Sequence, residues 1–200
     1  MNKAILLSLF SVLIFSCSNP EKIVWVDNPG EEPLTVIFGG DQTVELEPSQ
    51  TLEVTIKFGE TTIQTGDGEP EKMTLDIDRD YLINPLKATY YIEKLKFFPS
   101  EEDRIKYEKY YAKTTDIEGM EVNGDFKKIE GQLAIPKTWD YGIGEDTDEQ
   151  IVRKIDRQVE EYTLEKIHRK DELVSALKDE MYLYLQTELQ KMAEEKEGEE

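Results

Sequence analysis

Positions 52–58 of the chain read Leu-Glu-Val-Thr-Ile-Lys-Phe, with an apolar residue at every second place. Side chains of an extended strand point alternately to opposite faces, so this stretch asks for one buried and one wet face and is incompatible with a helix. Similar short segments recur on either side. Ile23-Val24-Trp25-Val26 closes at the turn signal Asp27-Asn28-Pro29-Gly30, and Leu34-Thr35-Val36-Ile37-Phe38 stops at Gly39-Gly40-Asp41. Thr43-Val44-Glu45-Leu46 ends before Pro48-Ser49. Thr61-Thr62-Ile63-Gln64, Met73 to Asp78, Tyr81-Leu82-Ile83 and Thr89 to Phe97 complete the series. Eight short strands with Gly and Pro between them rather than inside them predict an antiparallel, β-sandwich-like module over 23–98.

Beyond Pro99 the pattern changes, and the fold class predicted for the whole is α+β. Ser100 as a cap and acidic residues in the first turn predict a short helix over 101–112. Asn123-Gly124 lies between two short alternating stretches, a strong hairpin signal, and 127–135 reads as a further strand pair ending at Pro136. Positions 139–144 read as a loop. Thr147 with Gln150 resembles a capping box, and Val152, Ile155, Val159 and Tyr162 follow at amphipathic spacing. Residues 162–168 are open to either helix or strand. Asp171 is positioned to cap a last helix bearing Leu173, Val174, Leu177, Met181, Tyr184, Leu185, Leu189 and Met192. The 99–193 portion is thus expected to be mixed, with a hairpin and amphipathic C-terminal helices, and the acidic tail 194–200 to be disordered.

At the other terminus, Lys3 precedes twelve apolar-rich positions, 4–15, and the run ends in Ile14-Phe15-Ser16-Cys17. Twelve residues are too few for a bilayer span of ~20 but suit a secretory signal. The sequence Ile14 to Cys17 resembles the lipobox of bacterial lipoprotein signal peptides. That resemblance implies removal of 1–16, attachment of diacylglycerol to the Cys17 thiol, and a lipidated tether over 17–22. With Ser18 rather than Asp after the cysteine, it also implies the outer membrane rather than the inner. Cys17 is the only cysteine of the chain.

Charge and composition exclude several function classes. Asp and Glu total 44 against 24 Lys and Arg, a net charge of −20, which repels a phosphate backbone and argues against nucleic acid as a partner. One histidine removes multi-histidine metal centres, and one cysteine removes an internal disulfide. Asp76-Ile77-Asp78-Arg79-Asp80 has the alternating acids of a calcium loop, but Tyr81 and Lys87 stand where an EF-hand requires Gly and Glu. Its acids are better read as the wet face of a strand, with Leu75 and Ile77 inward. The acids 145–149 suit a helix N-terminus. His168 sits among charged residues, and no Gly-x-Ser-x-Gly elbow or phosphate-binding loop occurs. No catalytic residue, metal site or cofactor is therefore expected.

Eight of the aromatic residues fall within 81–111. Tyr90, Tyr91, Tyr107, Tyr110 and Tyr111 are candidates either for a ligand platform or for packing between sheet and helix, the packing role being favoured. The expectation is a non-catalytic, lipid-anchored envelope protein with a binding or structural role. Its partners are the membrane, through the anchor, and an unidentified protein or glycan. The alternatives are a polymer hydrolase working through paired carboxylates, and an accessory subunit of an envelope assembly.

Overall fold

Three sheets stacked face to face form the body in the computed structural model, which describes residues 20–97, 113–147 and 162–197 together with positions 102 and 105. The strands are β1 (Glu21–Asp27), β2 (Leu34–Phe38), β3 (Gln42–Leu46), β4 (Thr51–Lys57), β5 (Gly59–Thr65), β6 (Glu71–Leu75) and β7 (Tyr81–Ile83). They continue with β8 (Tyr90–Phe97), β9 (Thr114–Ile117), β10 (Met120–Asn123), β11 (Asp125–Ile129), β12 (Ala134–Pro136) and β13 (Tyr162–Arg169). A helix, α1 (Lys170–Glu197), follows directly. The fold is α+β with sandwich-like sheets, and all eight strands expected between 23 and 98 are present.

The central sheet has the order β12-β7-β1-β4 and the outer sheet β3-β2-β5-β6. Between them lie Val24, Val26, Val54 and Ile56 from one side and Val36, Phe38, Leu46, Ile63, Met73 and Leu75 from the other. Alternation explains the division: on β4, Val54 and Ile56 are buried while Glu53, Thr55 and Lys57 are exposed. Each fully buried Val, Leu, Ile or Phe contributes about 1.5–3 kcal/mol relative to exposure, so this layer is the main source of cohesion.

The central sheet is covered on its second face as well. Leu82 and Ile135, with the partly buried Trp25, pack against Tyr90, Ile92, Ile129 and Ile167 of a third sheet, β11-β8-β13. That is why β7 is apolar at every position and buried at all three. On the outer face of the third sheet, Tyr91 packs with Ile117, Leu173, Val174, Leu177 and Phe126, so the first turns of α1 and the β9–β10 hairpin form a last layer. Strand β8 thus closes the stretch 23–98 yet pairs only with β11 and β13 from beyond it.

Several local expectations change. The hairpin turn is Glu118-Gly119, joining β9 to β10 with positive φ at both residues, 51° and 84°. Those are the angles a two-residue primed turn requires. Asn123-Gly124 instead marks the passage from β10 to β11, whose partners differ: β10 pairs with β9 and β11 with β8. The segment 127–135 is not a strand pair either, because β11 and β12 go to different sheets. Residues 76–80 form a loop between β6 and β7, where Ile77 is exposed and Leu75 alone of the two faces inward. Turn chemistry of Asp residues outweighs their alternation here, and the Asp78 N–H donates to Asp76 Oδ1 at 3.1 Å.

Residues 162–169 are strand, pairing along β8 from Tyr162 opposite Phe97 to Arg169 opposite Tyr90. Helix α1 begins at Lys170 and runs to Glu197, into the acidic tail expected to be disordered. Glu and Lys are good helix formers, and Lys191 to Glu188 at 2.8 Å and Gln190 to Glu194 at 3.1 Å join successive turns. Of the predicted helix 101–112, Glu102 and Ile105 are helical. Its remainder, the segment 148–161 and residues 198–200 lie outside the described residues. No described helix is long and apolar enough to cross a membrane.

Candidate functional site

The most highly organised polar cluster lies where the central sheet, the third sheet and α1 converge. Asp27 ends β1 with its side chain fully buried, an unusual position for a carboxylate. Both its oxygens are doubly engaged. Oδ1 accepts from Thr51 Oγ1 at 2.6 Å and from Arg169 Nη2, while Oδ2 accepts from the Tyr90 hydroxyl at 2.6 Å and from Arg169 Nε at 3.0 Å. Arg169 Nη1 in turn meets Glu172 in the first turn of α1.

Each member arrives by simple strand geometry. β4 runs antiparallel to β1, with Thr51 opposite Asp27. β8 and β13 pair with Tyr90 opposite Arg169, so both reach the same carboxylate. Burial opposes the Arg169 charge, but the hydrogen bonds and charges of Asp27 and Glu172 outweigh it and hold its pKa above the ordinary value. Burial, then the Asp27 charge and hydrogen bond, push the Tyr90 phenol up as well. A carboxylate has about four lone-pair sites, and all four of Asp27's are used, so the cluster joins β1, β4, β8, β13 and α1 and leaves no free acceptor on Asp27 itself.

Beside it, Asn28 is also buried and donates to the carbonyls of Glu32 at 2.9 Å and Glu47 at 3.0 Å. Asn84 does the same for Ala88 and Gln132, both at 2.9 Å. Among the described residues no buried side-chain polar atom lacks a partner. Asp27 is the one buried carboxylate among the described residues.

Three concavities are large or aromatic enough to consider, one of them an open hollow of about 330 Å³ beside Arg169, bordered by Pro29, Leu86, Lys87, Thr89 and Lys170. An open groove of about 710 Å³ is bordered by Glu21, Phe38, Gln42, Lys57, Glu60 and Lys72, which lie at or next to strand ends. A cleft of about 80 Å³ contains Trp25, Lys137 and Trp139, with Lys137 Nζ 4.4 Å from the centre of the Trp25 ring. Its volume is well below the few hundred Å³ of ordinary small-molecule sites.

Tyr90 and Tyr91, adjacent on β8, are buried on opposite faces of the third sheet. Tyr91 donates to Glu118 Oε1 at 3.2 Å, and burial raises its pKa. Cys17, Tyr107, Tyr110 and Tyr111 lie outside the described residues, so the five tyrosines are not seen together. His168 Nε2 stands 2.8 Å from Glu93 Oε2, with its ring 6.4 Å from that of Phe126. Among the described residues no three His, Cys, Asp or Glu side chains converge as metal ligands, and Asp76, Asp78 and Asp80 share a loop rather than a strand face.

Asp27 and Arg169 were not legible as a pair. Asp27 reads as the first residue of a turn and Arg169 as one of several charges in 165–172. A hint exists only in hindsight, since a charged residue ending an apolar strand needs a partner if it is buried. Compared with protein-family models, curated proteins and solved structures, the chain has no match.

Proposed function

We propose that this chain is a lipid-anchored protein of the bacterial cell envelope with a non-catalytic, binding or structural role. The observation that carries the reading is Ile14-Phe15-Ser16-Cys17 at the end of a twelve-residue apolar run, with the only cysteine of the chain at the lipidation position. Two acyl chains on one cysteine give stable anchoring where a single chain gives only reversible binding. The high negative charge keeps such a body hydrated and off anionic lipid. Metabolic labelling with an alkyne fatty acid tests it. Label should appear on the wild-type chain and vanish in Cys17→Ser; equal labelling of the two rejects the anchor.

A second reading, an accessory subunit of an envelope assembly, draws on α1. After Leu177 the helix leaves the body, and Met181, Tyr182, Leu183, Tyr184 and Leu185 are 52–65% exposed, around its whole circumference. A photo-crosslinker at position 185 in intact cells distinguishes the readings. One discrete adduct with a different protein supports the subunit reading; self-adducts or none reject it.

A further inference from the structure

The first strand begins four residues after Cys17. Phe58 N–H donates to Pro20 O at 2.8 Å, and Glu21 opens the β1–β4 ladder opposite Lys57. Only Ser18, Asn19 and Pro20 separate Glu21 from Cys17. A chain extends at most ~3.6 Å per residue, so Glu21 lies within about 14 Å of the Cys17 Cα. From there β1 carries the chain ~20 Å onward to Asp27, at about 3.3 Å per residue.

Strand register says what shares each end. At the Glu21 end stand the β2–β3 turn, 39–41, and the loop 76–80. Gln42 Nε2 donates to Thr55 O at 2.9 Å, and Lys22 Nζ donates to Ile77 O at 3.0 Å. At the opposite end Asn28 holds Glu47 O, and Arg169 on Asp27 carries the start of α1. The chain has a net charge of −20, yet three acids at the Glu21 end have basic neighbours: Asp80 with Lys22 at 2.7 Å, Glu60 with Lys72 at 3.7 Å and Asp76 with Arg79 at 4.0 Å. Ion pairs occur at the far end as well, Lys87 with Glu71 at 2.6 Å and Arg169 with Asp27, so the tether length rather than charge selects the end.

We propose that the Glu21 end of the sandwich, with the turn 39–41 and the loop 76–80, is the membrane-facing surface of the protein. It is seated on the headgroups of the bilayer that holds Cys17, and the start of α1 is held at the far end. The inference rests on the lipid-anchor reading, and the tether is its cause: with ~14 Å of chain against ~20 Å of strand, the body cannot turn end over end.

The test uses the full lipidated chain in phosphatidylcholine vesicles carrying a nitroxide on the headgroup. Lipidation consumes Cys17, so a cysteine introduced at an exposed site is the one free thiol for a fluorophore. Mass spectrometry first confirms the diacylglyceryl modification; an unmodified Cys17 sinks both the anchor and the orientation. With the lipid present, quenching should be several-fold greater at Asp41→Cys and Asp78→Cys than at Glu31→Cys and Glu47→Cys. Equal or reversed quenching overturns the orientation and leaves the anchor standing. Inserting about 20 Gly/Ser residues after Ser18, worth ~25 Å of mean reach, should equalise the four positions. A difference that survives the insertion overturns the tether as its cause.

Discussion

Asp27 and Arg169, 142 residues apart in the chain, meet inside the protein as a two-point fork, Nε on Oδ2 at 3.0 Å and Nη2 on Oδ1. The pair ties the end of the first strand to the strand–helix junction at the other extreme of the described fold. Breaking one partner leaves the other charge buried, which costs about 3–5 kcal/mol, whereas replacing both by apolar residues is often neutral. Asp27→Asn should therefore lower urea-denaturation stability by about that amount. Asp27→Leu combined with Arg169→Met should recover much of it. A loss below about 1 kcal/mol for Asp27→Asn would mean that the fork is solvated rather than buried.

Tyr90 supplies a pH signature. Its pKa is raised in the folded protein above the ordinary value of 10, so it favours folding fully below pH 10, and that contribution is lost as pH rises beyond it. Wild-type stability should fall between pH 9 and pH 11 more steeply than that of Tyr90→Phe. At neutral pH, Tyr90→Phe should cost about 1–2 kcal/mol for the hydrogen bond to Asp27. Parallel urea titrations of both chains at pH 7, 9 and 11 read both effects.

The two glycines around the hairpin should respond differently to alanine. At Gly119 (φ 84°) a Cβ meets nothing within 4 Å, so Gly119→Ala carries only the conformational penalty, about 1 kcal/mol. At Gly124 a Cβ would stand 2.3 Å from Phe126 Cε2, a ring packed beside Tyr91 and Leu173. Gly124 also has a positive φ of 156°, so Gly124→Ala should cost about 2–3 kcal/mol from overpacking together with backbone strain. Thermal denaturation of the two variants should rank them in that order.

Along α1 the dependence should stop abruptly. Leu173 is buried and Leu185 is 52% exposed. Leu173→Ala should cost about 2–3 kcal/mol, and Leu185→Ala should stay within about 0.5 kcal/mol of wild type. Truncation after Asp179 should leave the melting temperature of the body nearly unchanged. A large drop would show that the distal helix is packed rather than projecting.

The strands were legible because alternation is a local property: Val54 and Ile56 need only their neighbours to declare a buried face. Turns were less so. Asn123-Gly124 carries the stronger hairpin signal, yet Glu118-Gly119 makes the turn, since β10 finds its partner in β9 while β11 is claimed by β8. Strand 162–169 was ambiguous because its alternation is broken by charge, and Arg169 is buried only through a carboxylate supplied from residue 27. Tyr90 and Tyr91 were expected to share one role, but adjacent strand residues face opposite ways, and they serve different layers.

By itself, then, the sequence determined what depends on near neighbours: the strand rhythm from 23 to 97 and the last helix. Tertiary structure alone decided the stacking of three sheets, the switch of β8 into the third sheet, and the meeting of Asp27, Tyr90 and Arg169. Those outcomes rest on pairing between distant segments and on burial, and neither a side chain's partner nor its loss of solvent is encoded within a few residues of it.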